Sequence, residues 1–162
     1  MLQKKTIYLK LKQIVELFDD YEDIKVKRVL TSGNIFREVE KEKYNLFIEH
    51  NWMFEVTTTS IDNELDRKIL GYNHNYFETE SFKKARIRLN YVLLKSNLNS
   101  FVEDIKVFLE KYPNIETLAL KLLNVNTKTN KVDNPLSKWI KENAIMKDDR
   151  QVIADILNKN FI

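Results

Sequence analysis

Two glycines and two prolines in 162 residues constrain this chain more than any other feature of its sequence. Glycine supplies positive-φ turns and proline interrupts hydrogen-bond ladders. Average usage is about 7% for glycine and about 5% for proline. A chain so poor in both has few tight turns, and the scarcity predicts helices joined by short connections punctuated by Asn, Asp and Ser. It also removes the glycine-rich loops that cradle phosphates in nucleotide sites.

The length predicts one domain, 1–162, with a sub-division into 1–60 and 61–162 as the only break the composition suggests. Hydrophobic residues make up 43% and charged residues 31%, which places the chain among globular rather than disordered sequences. Cysteine is absent, so disulfides, thiolate metal sites and cysteine nucleophiles are excluded. The opening MLQKKTIYLKLKQIVELFDD has neither an unbroken apolar run nor a small-residue cleavage site, and no apolar stretch approaches a bilayer span. The expectation is a cytoplasmic protein with no membrane partner. The net charge of +3 does not by itself argue for nucleic acid. Heavy use of Lys, Asn and Ile points to an AT-rich coding sequence, as in a low-GC bacterium, a phage or another mobile genetic element.

Ile7, Leu11, Ile14, Val15 and Phe18 have helical spacing and predict a helix over 5–19, ended by the acidic run 19–23. Tyr44, Leu46 and Ile48, then Trp52, Phe54 and Val56, alternate with polar neighbours across His50-Asn51. They predict an antiparallel hairpin of 44–49 with 52–58, and 24–30 is the third strand. The rest reads as helical: 62–70 closed by Gly71, 80–96, 101–112 behind a Ser100–Glu103 capping box, 115–124, 135–145 opened by Asn134-Pro135, and 149–159 capped by Asp148. The predicted fold is therefore α+β and predominantly α, with an N-terminal helix, a small antiparallel sheet of about three strands and a C-terminal helical bundle.

Candidate sites are few. His50 and His74 fall on predicted loops without ligand spacing, so no metal site is expected and no cofactor is called for. Arg67 and His74, in RKILGYNH, are spaced in a way that resembles the HEPN class of helical ribonucleases. The resemblance implies His74 as the base acting on a 2′-hydroxyl and Arg67 as the group stabilising the phosphorane. Glu38-Val39-Glu40-Lys41, with Asp23 upstream, contains the Glu-x-Lys element of metal-dependent nucleases, and it equally fits an ordinary charge-alternating surface. On the predicted helix 80–96, Lys84, Arg88 and Lys95 form one basic stripe between two apolar arcs, either a snorkelling solvent edge or a contact surface for an acidic partner or phosphates. Tyr72, Tyr76 and Phe77, around the 71–78 loop, read either as an aromatic contact patch or as the cover of a core. Helices 80–96, 101–112 and 115–124, followed by the loop carrying Lys128 and Lys131, predict a winged-helix-like region over 80–132.

With no catalytic constellation beyond Arg67 and His74, the expected function is non-enzymatic binding of another macromolecule, as an inhibitor, immunity-type or adaptor protein with a protein partner. The alternatives are a nucleic-acid-binding regulator using the winged-helix region and a small HEPN-like ribonuclease.

Overall fold

A computed structural model describes residues 2–21, 23–71, 75–123, 135–145 and 149–161. Among them the chain order is α1 (Leu2–Asp19), β1 (Arg28–Thr31), α2 (Lys41–Glu49), β2 (Met53–Thr58), α3 (Asn63–Leu70), α4 (Glu80–Lys84), β3 (Ile87–Leu93), α5 (Phe101–Lys111), β4 (Ile115–Leu122), α6 (Pro135–Asn143) and α7 (Asp149–Phe161), with short 3₁₀ turns between. The strands form one four-stranded, all-parallel sheet in the order β1-β2-β3-β4. The β1–β2 register pairs Arg28 with Met53, Val29 with Phe54, Leu30 with Glu55 and Thr31 with Val56.

Each strand lies beside its neighbour in sequence, and each connection carries a helix, as parallel pairing requires. This reconciles the fold with its glycine and proline content. Helical crossovers need caps rather than tight hairpins. Asp62 caps α3 by accepting from the backbone N–H of Glu64 (2.8 Å) and Leu65 (3.3 Å), and Thr79 caps α4 by accepting from Phe82 N–H (3.2 Å). Gly71, at φ +76°, ends α3.

Two compact units are formed. The first comprises Met1–Thr57, His74–Leu89 and Asn114–Thr117; the second comprises Thr58–Asn73, Asn90–Pro113 and Leu118–Ile162. The core of the first unit is aromatic. Phe36 is fully buried and meets the rings of Phe54 (5.2 Å), Phe82 (5.3 Å), Tyr76 (5.5 Å) and Tyr44 (6.3 Å), while Phe47 meets Phe54 and Trp52. The second unit buries Leu93, Leu94, Phe101, Ile105 and Phe108, with the Phe108 ring against Tyr91 (6.5 Å) and Tyr112 (6.1 Å).

The sequence expectation is corrected in three places. Residues 44–49 belong to helix α2, not to a hairpin strand: Tyr44 and Phe47, one turn apart, face the core, and only the second arm is a strand. Residues 80–96 are not one helix but α4 followed by β3, and 115–122 is strand β4. The sheet is consequently parallel with four strands instead of antiparallel with about three, and neither the C-terminal bundle nor the three-helix core of a winged helix over 80–132 is formed. Helices α1, α3, α5, α6 and α7 occur where periodicity placed them. The Ser100 capping box does not: Ser100 makes no side-chain cap to α5 and instead donates to Asn97 C=O (3.3 Å).

Candidate functional site

In a parallel ladder a residue directs both backbone groups to the same side. Lys27 C=O accepts from Met53 N–H at 2.9 Å, so the odd-numbered residues of β1 turn their backbone towards β2. Arg28 and Leu30 therefore turn their N–H and C=O outward, where no described strand follows. The same alternation sorts side chains. Val29, Thr31, Phe54 and Val56 share the face that carries the aromatic core. Arg28, Leu30, Met53, Glu55 and Arg88 share the other.

Parallel sheets are ordinarily covered on both faces. Here the second face is open at its β1 end. A cleft of about 420 Å³ lies there, lined by Phe18, Ile24, Val26, Lys27, Arg28, Leu30, Trp52 and Glu55. Leu30 is 72% exposed and Val26 55% exposed, an uncommon state for strand-edge aliphatics. Phe18 of α1 packs edge-on against Trp52 at 5.4 Å and forms one wall. The indole Nε1–H of Trp52, itself buried, has no acceptor among the described residues.

Charge crosses this face in rows. Glu55 lies between Arg28 (3.5 Å) and Arg88 (3.8 Å), so two guanidiniums share one carboxylate there. Further along, Arg86 grips Glu116 through two contacts, 2.6 and 3.0 Å, and donates to Asn51 Oδ1 at 2.8 Å. Asn51 itself lies in the left-handed region, φ +57°, which asparagine adopts more readily than most residues. The Arg86 guanidinium keeps the Glu116 carboxyl below its ordinary range, and the carboxylate in turn raises Arg86. At the end of α1, the Asp19 carboxylate bridges Lys27 and His50 Nδ1. Lys27 first, then His50, holds Asp19 below the usual carboxylate value.

The second unit contains a buried polar network at the carboxyl ends of β2 and β3. Asp66 accepts from Thr59 N–H (2.6 Å), Thr59 Oγ1 (2.5 Å) and the Thr58 hydroxyl (2.9 Å). Asp104 accepts from Ser60 Oγ (3.0 Å), Ile61 N–H (3.3 Å) and Tyr91 Oη (2.7 Å). Both acids sit in the first turn of a helix, α3 or α5, where the helix dipole favours negative charge. Burial, and then the Asp104 carboxylate, pushes the Tyr91 phenol far above its ordinary value, so it stays a donor. Asn97 completes the arrangement by donating to Thr59 C=O (2.6 Å) and Val92 C=O (2.9 Å). Three donors from inside the unit converge on one oxygen of Asp104, Oδ2, and two of them come from Ser60 and Ile61, which makes the network a tie for the 58–62 segment. Among the described residues, no group of three or more His, Asp or Glu side chains could hold a metal ion.

The basic stripe read from the sequence is dissolved by the break between α4 and β3. Lys84 ends α4 and pairs with Glu80 at 3.7 Å; Arg88 lies on β3 beside Glu55; Lys95 lies on a 3₁₀ turn after β3. Of the three, only Arg88 belongs to the open face. Tyr76 is buried against Phe36, Phe77 and Phe82, as a core residue is. Arg67 is exposed on α3. Tyr72, His74, Lys128, Lys131, Asn134 and Asp148 lie outside the described residues. Glu38 and Glu40 hold Lys41 (3.0 Å) and Lys43 (2.5 Å), the ordinary surface reading of that segment. The cleft itself was missed, although Ile24, Val26 and Leu30 share one parity of this segment, with Arg28 between the last two.

No family model, no curated protein and no solved structure matches this chain. Among the described residues no helix is long and apolar enough to cross a membrane.

Proposed function

We propose that this chain is a protein-binding module of the cytoplasm, of the inhibitor or adaptor kind, and that it takes an extended segment of its partner along β1. The observation that carries the reading is the open end of a parallel sheet. Its outermost strand offers backbone groups that pair with no strand among the described residues and, on the same side as the cleft, exposed Val26 and Leu30. Adding a strand satisfies edge backbone groups, and pockets for alternate side chains give specificity. The cleft suits apolar side chains. The two guanidiniums around Glu55 favour an acidic neighbour, and the Trp52 indole N–H is a donor that an incoming carbonyl would satisfy.

Selection of peptides from a random display library tests this. Enriched sequences should alternate apolar residues and include an acid. Binding, followed by tryptophan fluorescence, should fall at least about tenfold in Leu30→Lys, a loss of about 1.4 kcal/mol. Failure to enrich any peptide, or binders indifferent to Leu30→Lys, would refute the proposal.

A further inference from the structure

Helix α1 has a second apolar face that no described element covers. At about 100° per residue, Ile7, Ile14 and Leu17 fall within an arc of about 80°. They are 60%, 51% and 53% exposed. Val15, the fully buried residue of α1, lies about 100° round the helix from Ile14. The stripe thus faces away from Val15, and at one edge it borders Phe18, which lies about 20° from Ile7 and forms a wall of the β1 cleft.

Charge along α1 says what would cover it. Lys10 and Lys12 precede Ile14, and the acids Glu16, Asp19, Asp20 and Asp23 follow it. Lys12 pairs with Glu16 along the helix, and Asp19 with Lys27 and His50. Lys10 and Asp20 have no ion-pair partner among the described residues. A helix that is basic before its midpoint and acidic after it complements itself when antiparallel. A two-fold axis beside residue 15 brings Ile14 level with Leu17 of the second copy, to within about a residue rise of 1.5 Å, and Lys10 level with its Asp20. Lys10 lies on the stripe itself. Its alkyl stem would extend the apolar seam while the ammonium reaches the flanking carboxylate.

We infer that α1 is a self-association surface, pairing antiparallel with α1 of a second copy of this chain through Ile14 and Leu17, with reciprocal Lys10–Asp20 contacts and Ile7 beyond the end of the partner helix. The stripe runs about 15 Å along the helix. That is far less surface than the ~1,600 Å² of a standard stable interface, so the dimer is weak and concentration-dependent. The inference does not rest on the proposed function.

Sedimentation velocity from about 10 µM to about 1 mM protein reads it directly, over the range where a weak interface associates. The wild type should shift from monomer to dimer across this range and shift back at high salt. Ile14→Asp, at an exposed position, should stay monomeric with an unchanged circular dichroism spectrum. Lys10→Glu and Asp20→Lys should each weaken the dimer about tenfold or more, and the double variant should restore it. A wild type that remains monomeric at the highest concentration overturns the inference. So does a dimer lost in Leu30→Lys but kept in Ile14→Asp, which would put the seam on the sheet edge. A double charge reversal that fails to restore association overturns the antiparallel pairing.

Discussion

Replacing Gly33 with alanine separates two costs that usually come mixed. Gly33 follows β1 at φ +86°, and a Cβ there would overlap Cε1, Cδ1 and Cζ of the Tyr76 ring. That ring cannot swing aside, because it is buried against Phe77 (4.8 Å), Phe36 (5.5 Å) and Phe82 (5.7 Å). Gly71 has a similar backbone, φ +76°, and a Cβ there would meet nothing within 4 Å. Left-handed backbone costs an L-residue about 1–2 kcal/mol, and the stiffer unfolded chain returns about 0.4–1 kcal/mol. Gly71→Ala should therefore destabilise by about 0–1.6 kcal/mol. Gly33→Ala adds overpacking of about 1–3 kcal/mol. The difference between the variants isolates the clash, and urea unfolding at 25 °C followed by far-UV circular dichroism measures both. In Gly33→Ala/Tyr76→Ala the clash disappears, so the double variant should lose less stability than the two single losses summed. Equal destabilisation at Gly33 and Gly71, or strict additivity with Tyr76→Ala, would refute the packing of Tyr76 over this turn.

Tyr91→Phe removes one donor from the buried Asp104 carboxylate and should cost about 1.5–3 kcal/mol in urea unfolding, where an unchanged midpoint would contradict the network. Asp19 is held below its ordinary value by Lys27 and His50. A depressed carboxylate stabilises the fold above its unfolded pKa and loses that contribution as pH falls through the folded one. The melting-temperature gap between wild type and Asp19→Asn should thus be open at neutral pH and close on acidification, and a gap independent of pH would contradict the bridge. Trp52→Ala should cost about 3–5 kcal/mol because the indole is buried. Leu30→Lys, at an exposed position, should change stability by no more than about 0.5 kcal/mol, so that its effect on peptide binding reports contact and not unfolding.

The helices most visible in the sequence were those with caps and amphipathic spacing. Asp62 and Gly71 bracket α3, and Pro135 opens α6. The strands were concealed by their burial. In β3, Ile87, Leu89, Tyr91 and Leu93 are all fully buried, yet Leu89, Val92 and Leu93 also satisfy helical spacing when joined to Phe82 and Ala85. A buried parallel strand reads as a nearly continuous apolar run, which periodicity cannot separate from a helix. In β4, half of IETLALKL is leucine and alanine, good helix formers whose preference the sheet overrides. In α2 the error ran the other way, since three alternating apolar residues over five positions fit either period. Few glycines meant few tight turns, as argued, but a sheet joined by helical crossovers needs no more of them than a bundle does. The cleft followed the same logic. It was invisible while β1 was the third strand of an antiparallel sheet, and it appears once β1 is the uncovered end of a parallel one.

The central claim is that an extended partner segment docks on β1. Amide and indole chemical shifts of the ¹⁵N-labelled protein, titrated with a peptide from the display selection, test it residue by residue. The outward-facing amides of Arg28 and Leu30, the amide of Val26 and the Trp52 indole should move together and saturate, while Lys84 and Lys95 stay still. Shifts confined to Lys84, Lys95 or the second unit, with β1 and Trp52 unchanged, would contradict it.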